Sequence, residues 1–165
     1  MKRIDTDVSG GCQCGAVRYH ATAVADNAHI CHCRMCQKAV GNLFAALVGV
    51  PRDALTWTRG APARFRSSER VDRGFCAACG TPLFYENLDG PRVTLTIGSL
   101  DRPELIEPIH QDGIEARLPY FARLHAIAPE SATEDDSEDW AAAIRASSRQ
   151  HPDHDTAVWP PASSA

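Results

Sequence analysis

The sequence predicts a mainly β domain, built from short antiparallel strands that are pinned by metal. Three observations support this class: short segments rich in β-branched and aromatic residues, turn residues between these segments, and seven cysteines in compact motifs. A chain of 165 residues suffices for one domain and a tail. The hydrophobic content of 44% and charged content of 23% exclude a fully disordered chain and a coiled coil.

The predicted strands follow one another through the first part of the chain. They cover approximately residues 16–20, 43–50, 55–58, 63–67, 71–75, 83–85 and 93–98. Glycine, proline, asparagine and aspartate lie between them and supply the turns, which leaves little room for long helices. The longest apolar run, residues 43–50, is far shorter than the roughly twenty residues that a membrane-spanning helix needs. We therefore predict no membrane partner.

The composition changes after Pro129, which divides the chain into a body, residues 1–128, and an acidic, Pro/Ser-rich tail, residues 129–165. The tail holds eight acidic and two basic residues, a net charge of −6. One short helix is predicted from about residue 138 to residue 149, with acids at its start and arginines at its end. From His151 onward the sequence predicts disorder, and we expect the body to fold without the tail.

The net charge of the body and the N-terminal sequence limit which partners and which cellular compartment we expect. Residues 1–128 carry fifteen basic and thirteen acidic residues, and this near neutrality gives no electrostatic case for nucleic acid. The N-terminus reaches Asp5 before any apolar stretch could serve as a secretory signal. We therefore expect a cytoplasmic protein with reduced thiols. An odd number of cysteines in that compartment indicates metal binding or catalysis rather than disulfides.

Two cysteine pairs predict a four-thiolate zinc site. Cys12 and Cys14 can face one ion, because residues two apart in a strand share a face. Cys76 and Cys79 belong to a Cys-x-x-Cys-Gly knuckle, in which the chain turns around a metal. Four sulfurs fill a tetrahedron, which is typical of structural zinc. The alternatives are buried free cysteines and a redox Cys-x-x-Cys pair, although no thioredoxin-like βαβ pattern surrounds the latter.

Cys31, Cys33 and Cys36 predict a second metal site with three protein ligands. Three ligands leave a coordination position for water or substrate, as in catalytic zinc sites. The alternatives are a fourth protein ligand that closes the site and an iron–sulfur cluster, although the spacing differs from the common ferredoxin motifs. We expect His32 to point away from the ion, as a surface residue or a support for the ligands. His110 could fold back toward the three cysteines.

An arginine cluster lies between the cysteine motifs, at Arg64, Arg66, Arg70 and Arg73. Strand alternation places Arg64 and Arg66 on one face, where planar guanidinium groups could bind a carboxylate. The alternative is a solvated strand face.

The ordered set of motifs resembles the glutathione-dependent formaldehyde-activating enzyme family, which includes centromere protein V. The motifs are GGCQCGAVRY at 10–19, CHCRMC at 31–36, GFCAACG at 74–80 and GSLD at 98–101, and the resemblance covers about residues 8–124. It implies a zinc-bearing fold of antiparallel sheets, sometimes described as a β-tent, with two zinc ions per chain. It also implies a structural ion on Cys12, Cys14, Cys76 and Cys79 and a catalytic ion on Cys31, Cys33 and Cys36.

The resemblance further implies a carbon–sulfur lyase-type enzyme that adds glutathione to formaldehyde or a related electrophile. The small thiol would bind at the open three-cysteine zinc site, where a coordinated thiol is deprotonated. One departure from the family is local: its members commonly have a His followed by Pro-Trp, whereas His110 is followed by Pro119-Tyr120. The alternative function is a non-catalytic zinc module that binds a thiol or a protein partner, with the acidic tail as its interaction arm.

Overall fold

The computed structural model of the protein describes residues 2–133, 135 and 137–160. In this part of the chain ten strands form two sheets, so the predicted mainly β class is confirmed. The strands are β1 (Arg3–Gly11), β2 (Arg18–Ala25), β3 (His29–Cys31), β4 (Ala45–Pro51), β5 (Leu55–Arg59), β6 (Ala63–Ser68), β7 (Val71–Phe75), β8 (Pro82–Asn87), β9 (Arg92–Thr96) and β10 (His110–Asp112). The α-helices of the described residues are α1 (Arg34–Val40) and α2 (Glu138–Ser147). No helix in this part of the chain has the length and apolar character needed to cross a bilayer.

The two sheets differ in size and in strand direction. The small sheet is antiparallel and has the order β1-β2-β5. The large sheet has the order β10-β3-β4-β9-β8-β7-β6. Its strands pair antiparallel except β10 and β3, which run parallel over three residues. This parallel pair brings residues of distant sequence position to the edge of the sheet.

The hydrophobic core contains buried residues of both sheets. Tyr19 and Ala21 of β2 pack in one cluster with Val48 of β4 and Leu95 of β9, and all four are fully shielded from solvent. Burial alternates along β9, because successive side chains of a strand point to opposite faces. The Tyr19 hydroxyl lies 2.7 Å from Ser99 Oγ, so its buried oxygen has a hydrogen-bond partner.

The predicted strands are present as β2, β4 and β5 to β9, with ends shifted by a few residues. Strands β1, β3 and β10 and helix α1 are not among the sequence predictions. In β1 charged residues alternate with the β-branched Ile4, Thr6 and Val8, which is a strand pattern that the sequence predictions leave out. Strands β3 and β10 have three residues each, too few to show a period.

The tail folds back onto the body. Helix α2 is confirmed, two residues shorter than predicted, and begins after Ser137, whose Oγ accepts the N–H of Trp140. The prediction of disorder is wrong for residues 151–160, while residues 161–165 lie outside the described residues. His151 is buried and its backbone N–H donates to Gln13 O at 2.7 Å. Trp159 Nε1 donates to Cys14 O at 2.6 Å. We call residues 150–160 the strap.

A buried ion pair lies between the small sheet, the turn after β9 and the strap. Arg18 donates to both carboxylate oxygens of Asp101, at 2.7 and 2.5 Å, and the two side chains are 3% and 5% exposed. Ser9 Oγ donates to Asp101 at 2.6 Å, and Asp155 of the strap accepts from Arg18 Nε at 2.9 Å. Burial raises the pKa of Asp101, but the hydrogen bonds from Arg18 and Ser9 outweigh it, and the net pKa is lowered.

Removing the Asp101 carboxylate should strongly destabilise the fold. We expect Asp101→Ala to lower the free energy of unfolding at neutral pH by about 3 kcal/mol, because the buried Arg18 guanidinium then keeps only the half-exposed Asp155 as a partner. The contribution of Asp101 is present above its unfolded-state pKa of about 3.9 and is lost as the pH falls through its lower folded-state pKa. The difference between variant and parent, measured by denaturant unfolding, should therefore shrink on acidification. Asp5→Ala removes an exposed partner of Arg3 and should have no measurable effect.

The strap should contribute to stability through His151. Its Nε2 lies 3.2 Å from Arg59 Nη1, and its ring packs against the backbone of Gly15. We expect His151→Ala to lower the free energy of unfolding by about 1–3 kcal/mol, since the half-buried Arg59 loses one acceptor and the buried ring loses its packing against Gly15. The variant should also be cleaved faster by trypsin after Arg149. The exposed His154→Ala is the matched control. If both variants unfold and digest like the parent, the strap contributes nothing to the fold.

Candidate metal centres

Two turns bring four thiols together: Cys12, Cys14, Cys76 and Cys79. The first turn follows β1 and the second follows β7. In each turn a glycine N–H donates back to the carbonyl of the first cysteine, Gly15 to Cys12 at 3.0 Å and Gly80 to Cys76 at 2.8 Å. Both glycines have a φ of 78°, which side chains with a Cβ rarely allow. The two turns thus end in the same conformation despite their different cysteine spacing.

The positions of the four sulfurs fit tetrahedral zinc. Cys14 Sγ lies 3.6 Å from Cys12 Sγ and 3.9 Å from Cys76 Sγ, and all four Sγ atoms lie within 4.8 Å of one another. Zinc–sulfur bonds of about 2.3 Å at tetrahedral angles would separate the sulfurs by about 3.8 Å. The cysteines are free thiols rather than disulfides. The donor set and its spacing therefore suit a structural zinc ion.

Hydrogen bonds around Cys79 favour its thiolate, the form that binds metal. The Thr81 hydroxyl lies 3.2 Å from Cys79 Sγ and accepts the Gln13 N–H at 3.0 Å, so its own proton is available to the sulfur. Burial raises the pKa of Cys79, but Thr81 and nearby backbone N–H groups outweigh it and lower the pKa to about 6. Cys12 Sγ also accepts a backbone hydrogen bond, from Val17 N at 3.3 Å.

The second cysteine group lies where β3 meets α1. Cys31 is the last residue of β3, Cys33 caps α1, and Cys36 in its first turn donates its N–H to Cys33 Sγ at 3.4 Å. The three Sγ atoms lie within 4.8 Å of one another. Within that distance no further His, Cys, Asp or Glu of the described residues joins them. The arrangement offers an ion three protein ligands.

Arg73 of β7 is the charged neighbour of this group. Its Nη2 donates to Cys36 Sγ at 3.5 Å, and its guanidinium lies 5.3 Å from the centre of the Tyr85 ring. Burial raises the pKa of Cys36, and Arg73 offsets part of that rise. Burial also raises the pKa of Cys31, to about 12. A divalent cation would have to displace such protons on binding.

A pocket of about 560 Å³ opens beside α1 and the β7–β8 part of the large sheet. Three cationic side chains line it, Arg34, Lys38 and Arg73. Aromatic side chains line it as well, Phe65, Phe75, Phe84 and Tyr85. Arg34 and Lys38 are not among the residues predicted from the sequence, which predicts no helix at α1. Their spacing of four, which puts them on one face of a helix, was the available signal.

The carboxylate-binding patch predicted at Arg64 and Arg66 is already neutralised within the protein. Arg66 Nε donates to Asp72 at 2.6 Å. Arg64 pairs with both Glu86 and Asp72, and these two carboxylates are buried. Of the arginine cluster, Arg73 lines the pocket instead.

The structure decides between the alternatives for the two histidines singled out by the sequence. His32 is completely buried, which excludes the surface position: its Nε2 lies 2.8 Å from Gln111 Oε1 and its ring packs edge-on against Phe121. It thus supports the backbone that carries Cys31 and Cys33. His110 does not join the three cysteines but stacks on His29.

Comparison with known proteins adds two findings. The sequence profile described as "Glutathione-dependent formaldehyde-activating enzyme" matches residues 7–114, a range that contains both cysteine groups. The crystal structure of a Rhodobacter sphaeroides protein superimposes with a TM-score of 0.50 at 21% sequence identity, covering 62% of this chain and 98% of that one. The structural similarity concerns the fold alone. Helix α2 and the strap lie outside the profile match.

The two cysteine groups should respond differently to mutation. We expect Cys12→Ser to prevent soluble folding, because structural zinc in small domains contributes roughly 10 kcal/mol and joins two distant turns here. Cys33→Ser should give a folded protein with one metal ion fewer, since its group spans one short segment. Soluble yield, circular dichroism and metal analysis would measure this. A Cys12→Ser protein that melts like the parent would remove the structural role from the four-cysteine group.

Proposed function

Because the chain belongs to the glutathione-dependent formaldehyde-activating enzyme family, we propose that it adds glutathione, or another small thiol, to formaldehyde or a related electrophile. The product with formaldehyde is S-(hydroxymethyl)glutathione, and the enzyme is a lyase of carbon–sulfur bonds. The observation that carries the proposal is a cationic pocket beside a three-cysteine group with no fourth protein ligand among the described residues. The proposal assigns one zinc ion to each cysteine group.

The three-cysteine group suits a catalytic ion. Zinc bound by Cys31, Cys33 and Cys36 would supply a Lewis acid with an open position for a thiol sulfur. Arg73 serves this group directly, because its guanidinium at 3.5 Å from Cys36 Sγ balances part of the negative charge of three thiolates. Its contact with the Tyr85 ring holds it in that position.

The pocket suits the tripeptide. Glutathione carries a carboxylate at each end, and Arg34, Lys38 and Arg73 offer positive charge around the pocket. Guanidinium groups bind carboxylates through two parallel hydrogen bonds, which fixes orientation as well as position. The volume of about 560 Å³ lies within the range of small-molecule sites. With its carboxylates held by Arg34 and Lys38, glutathione would present its central cysteine to Arg73, which lines the pocket and contacts Cys36.

The chemistry requires little beyond this positioning. The thiol releases its proton to solvent, its sulfur attacks the aldehyde carbon, and one carbon–sulfur bond forms. The electron pair of the carbonyl bond moves to oxygen, which takes a proton from water, so atoms and charge balance. Holding both reactants in one pocket turns a bimolecular encounter into an effectively unimolecular step. The reaction needs reduced cysteines throughout, and we place it in a reducing compartment such as the cytoplasm.

Substitution of Arg73 should lower turnover. We expect Arg73→Ala to reduce kcat/KM for glutathione at least about tenfold, a loss of about 1.4 kcal/mol in transition-state stabilisation. Arg70→Ala is the matched control: Arg70 joins the same hairpin, is 82% exposed and pairs with Asp89 outside the pocket. Rates would be followed by 13C NMR with labelled formaldehyde.

Thiols and formaldehyde combine spontaneously, so the rate with the protein must be compared with the rate of the uncatalysed reaction. Turnover by the parent protein well above the background, lost in Cys33→Ser, would support the enzyme. Glutathione binding without any acceleration would favour the non-catalytic binding module. Equal rates for Arg73→Ala and Arg70→Ala would show that Arg73 has no role in the reaction.

A further inference from the structure

A third group of metal-ligating side chains lies outside both cysteine groups, at the edge of the large sheet. It consists of His29 of β3 and of His110 and Asp112 of β10. Asp112 Oδ2 lies 3.7 Å from His29 Nε2 and 3.6 Å from His110 Nε2. We propose that these three residues bind a divalent transition-metal ion. The inference does not rest on the proposed reaction, because none of the three belongs to a cysteine group.

The parallel pairing of β10 with β3 assembles this site. It sets His110 opposite His29 and Asp112 opposite Cys31. Paired residues share a face of the sheet, and so do residues two apart in one strand. The two imidazole rings stack at 5.1 Å with an angle of 19°, and both direct Nε2 at the same carboxylate. Three ligand atoms therefore converge from two strands.

The orientation of His29 suits a metal ligand. Its Nδ1 lies 2.7 Å from the carbonyl oxygen of Asn27, which can only accept a hydrogen bond. Nδ1 therefore carries the proton, and in the neutral ring Nε2 presents its lone pair. A backbone carbonyl on the other ring nitrogen is the common support of metal-binding histidines. With 13% of the side chain exposed, the ring is held in place.

The distances in the group fit an ion better than hydrogen bonds. Both nitrogen–oxygen distances exceed the 2.7–3.2 Å of an N–H···O hydrogen bond. A lone pair on His29 Nε2 that faces a carboxylate is unfavourable unless a cation lies between them. Two ligands about 2.1 Å from one ion, at a tetrahedral angle, lie about 3.4 Å apart. The spacing of the group is close to that value.

The donor set selects the kind of ion. Two imidazole nitrogens and one carboxylate oxygen favour Zn²⁺, Ni²⁺ and Cu²⁺ over Ca²⁺ and Mg²⁺, which prefer oxygen ligands. His110 and Asp112 are 41% and 55% exposed, so an ion can reach them from solvent. An ion would also fasten β10 to β3. Because the Asp112 carbonyl accepts the His32 N–H at 2.9 Å, this would hold the backbone that carries Cys31 and Cys33.

Nickel binding tests the site on the full chain. We would supply two zinc ions per chain, enough to fill the two thiolate groups and no more, and then titrate Ni²⁺ by calorimetry and by NMR of the histidine ring protons. One Ni²⁺ per chain should bind and broaden the signals of His29 and His110. His110→Ala should weaken binding at least about tenfold through loss of a ligand. His20→Ala is the matched control, because His20 is an imidazole 3.3 Å from a carboxylate, that of Asp7, without a second imidazole.

Asp112→Asn provides a second variant that keeps the size of the side chain, and it should also weaken binding while circular dichroism stays unchanged. Equal nickel affinity in the parent, His110→Ala and Asp112→Asn would overturn the proposal. Broadening confined to other histidines would overturn it as well. If His110→Ala fails to fold, the affinity of Asp112→Asn decides the question.

Discussion

The convergence of four sulfurs from two turns is the constraint on which the structure depends. It holds the end of β1, in the small sheet, against the turn between β7 and β8, in the large sheet. The strap and the buried ion pair, which the cysteine motifs do not predict, lie against the same part of the fold. The strap bonds to Cys14 through Trp159 and packs on Gly15 through His151. The buried pair of Arg18 and Asp101 connects β2 and the strap to the turn after β9.

The candidate reaction site, at the three-cysteine group, constrains a smaller part of the chain. Its three cysteines lie within one short segment, so an ion there joins little of the chain. The pocket beside them is lined by α1 and β8 and by the β6–β7 hairpin, where pairing puts Phe65 opposite Arg73 on the pocket side. Arg64 and Arg66, on the other face of the hairpin, instead form ion pairs with Asp72 and Glu86. Strand alternation thus places Arg73 beside the three cysteines, whereas Arg64 and Arg66 form ion pairs within the sheet.

The sequence was sufficient for the features that short-range chemistry determines. The cysteine motifs, the turn residues and the apolar alternation predicted most strands and both cysteine groups. It was insufficient where a residue's role depends on distant partners. The neutralisation of Arg64 required the position of Glu86, and the burial of His32 required β10 and Phe121. The strap has the composition of a flexible tail, and its order comes from contacts with Gln13, Cys14 and Arg59.

The separation of the four sulfurs along the chain also sets an order of events during synthesis. Cys14 and Cys76 are 62 residues apart, so at about 5–20 residues per second the first pair waits about 3–12 seconds for its partners. The three-cysteine group leaves the ribosome complete well before that. The strap, whose Trp159 lies 145 residues after Cys14, is synthesised later still. A growing chain therefore carries an unprotected pair of thiols for seconds, and those thiols are most open to oxidation before the protein is finished.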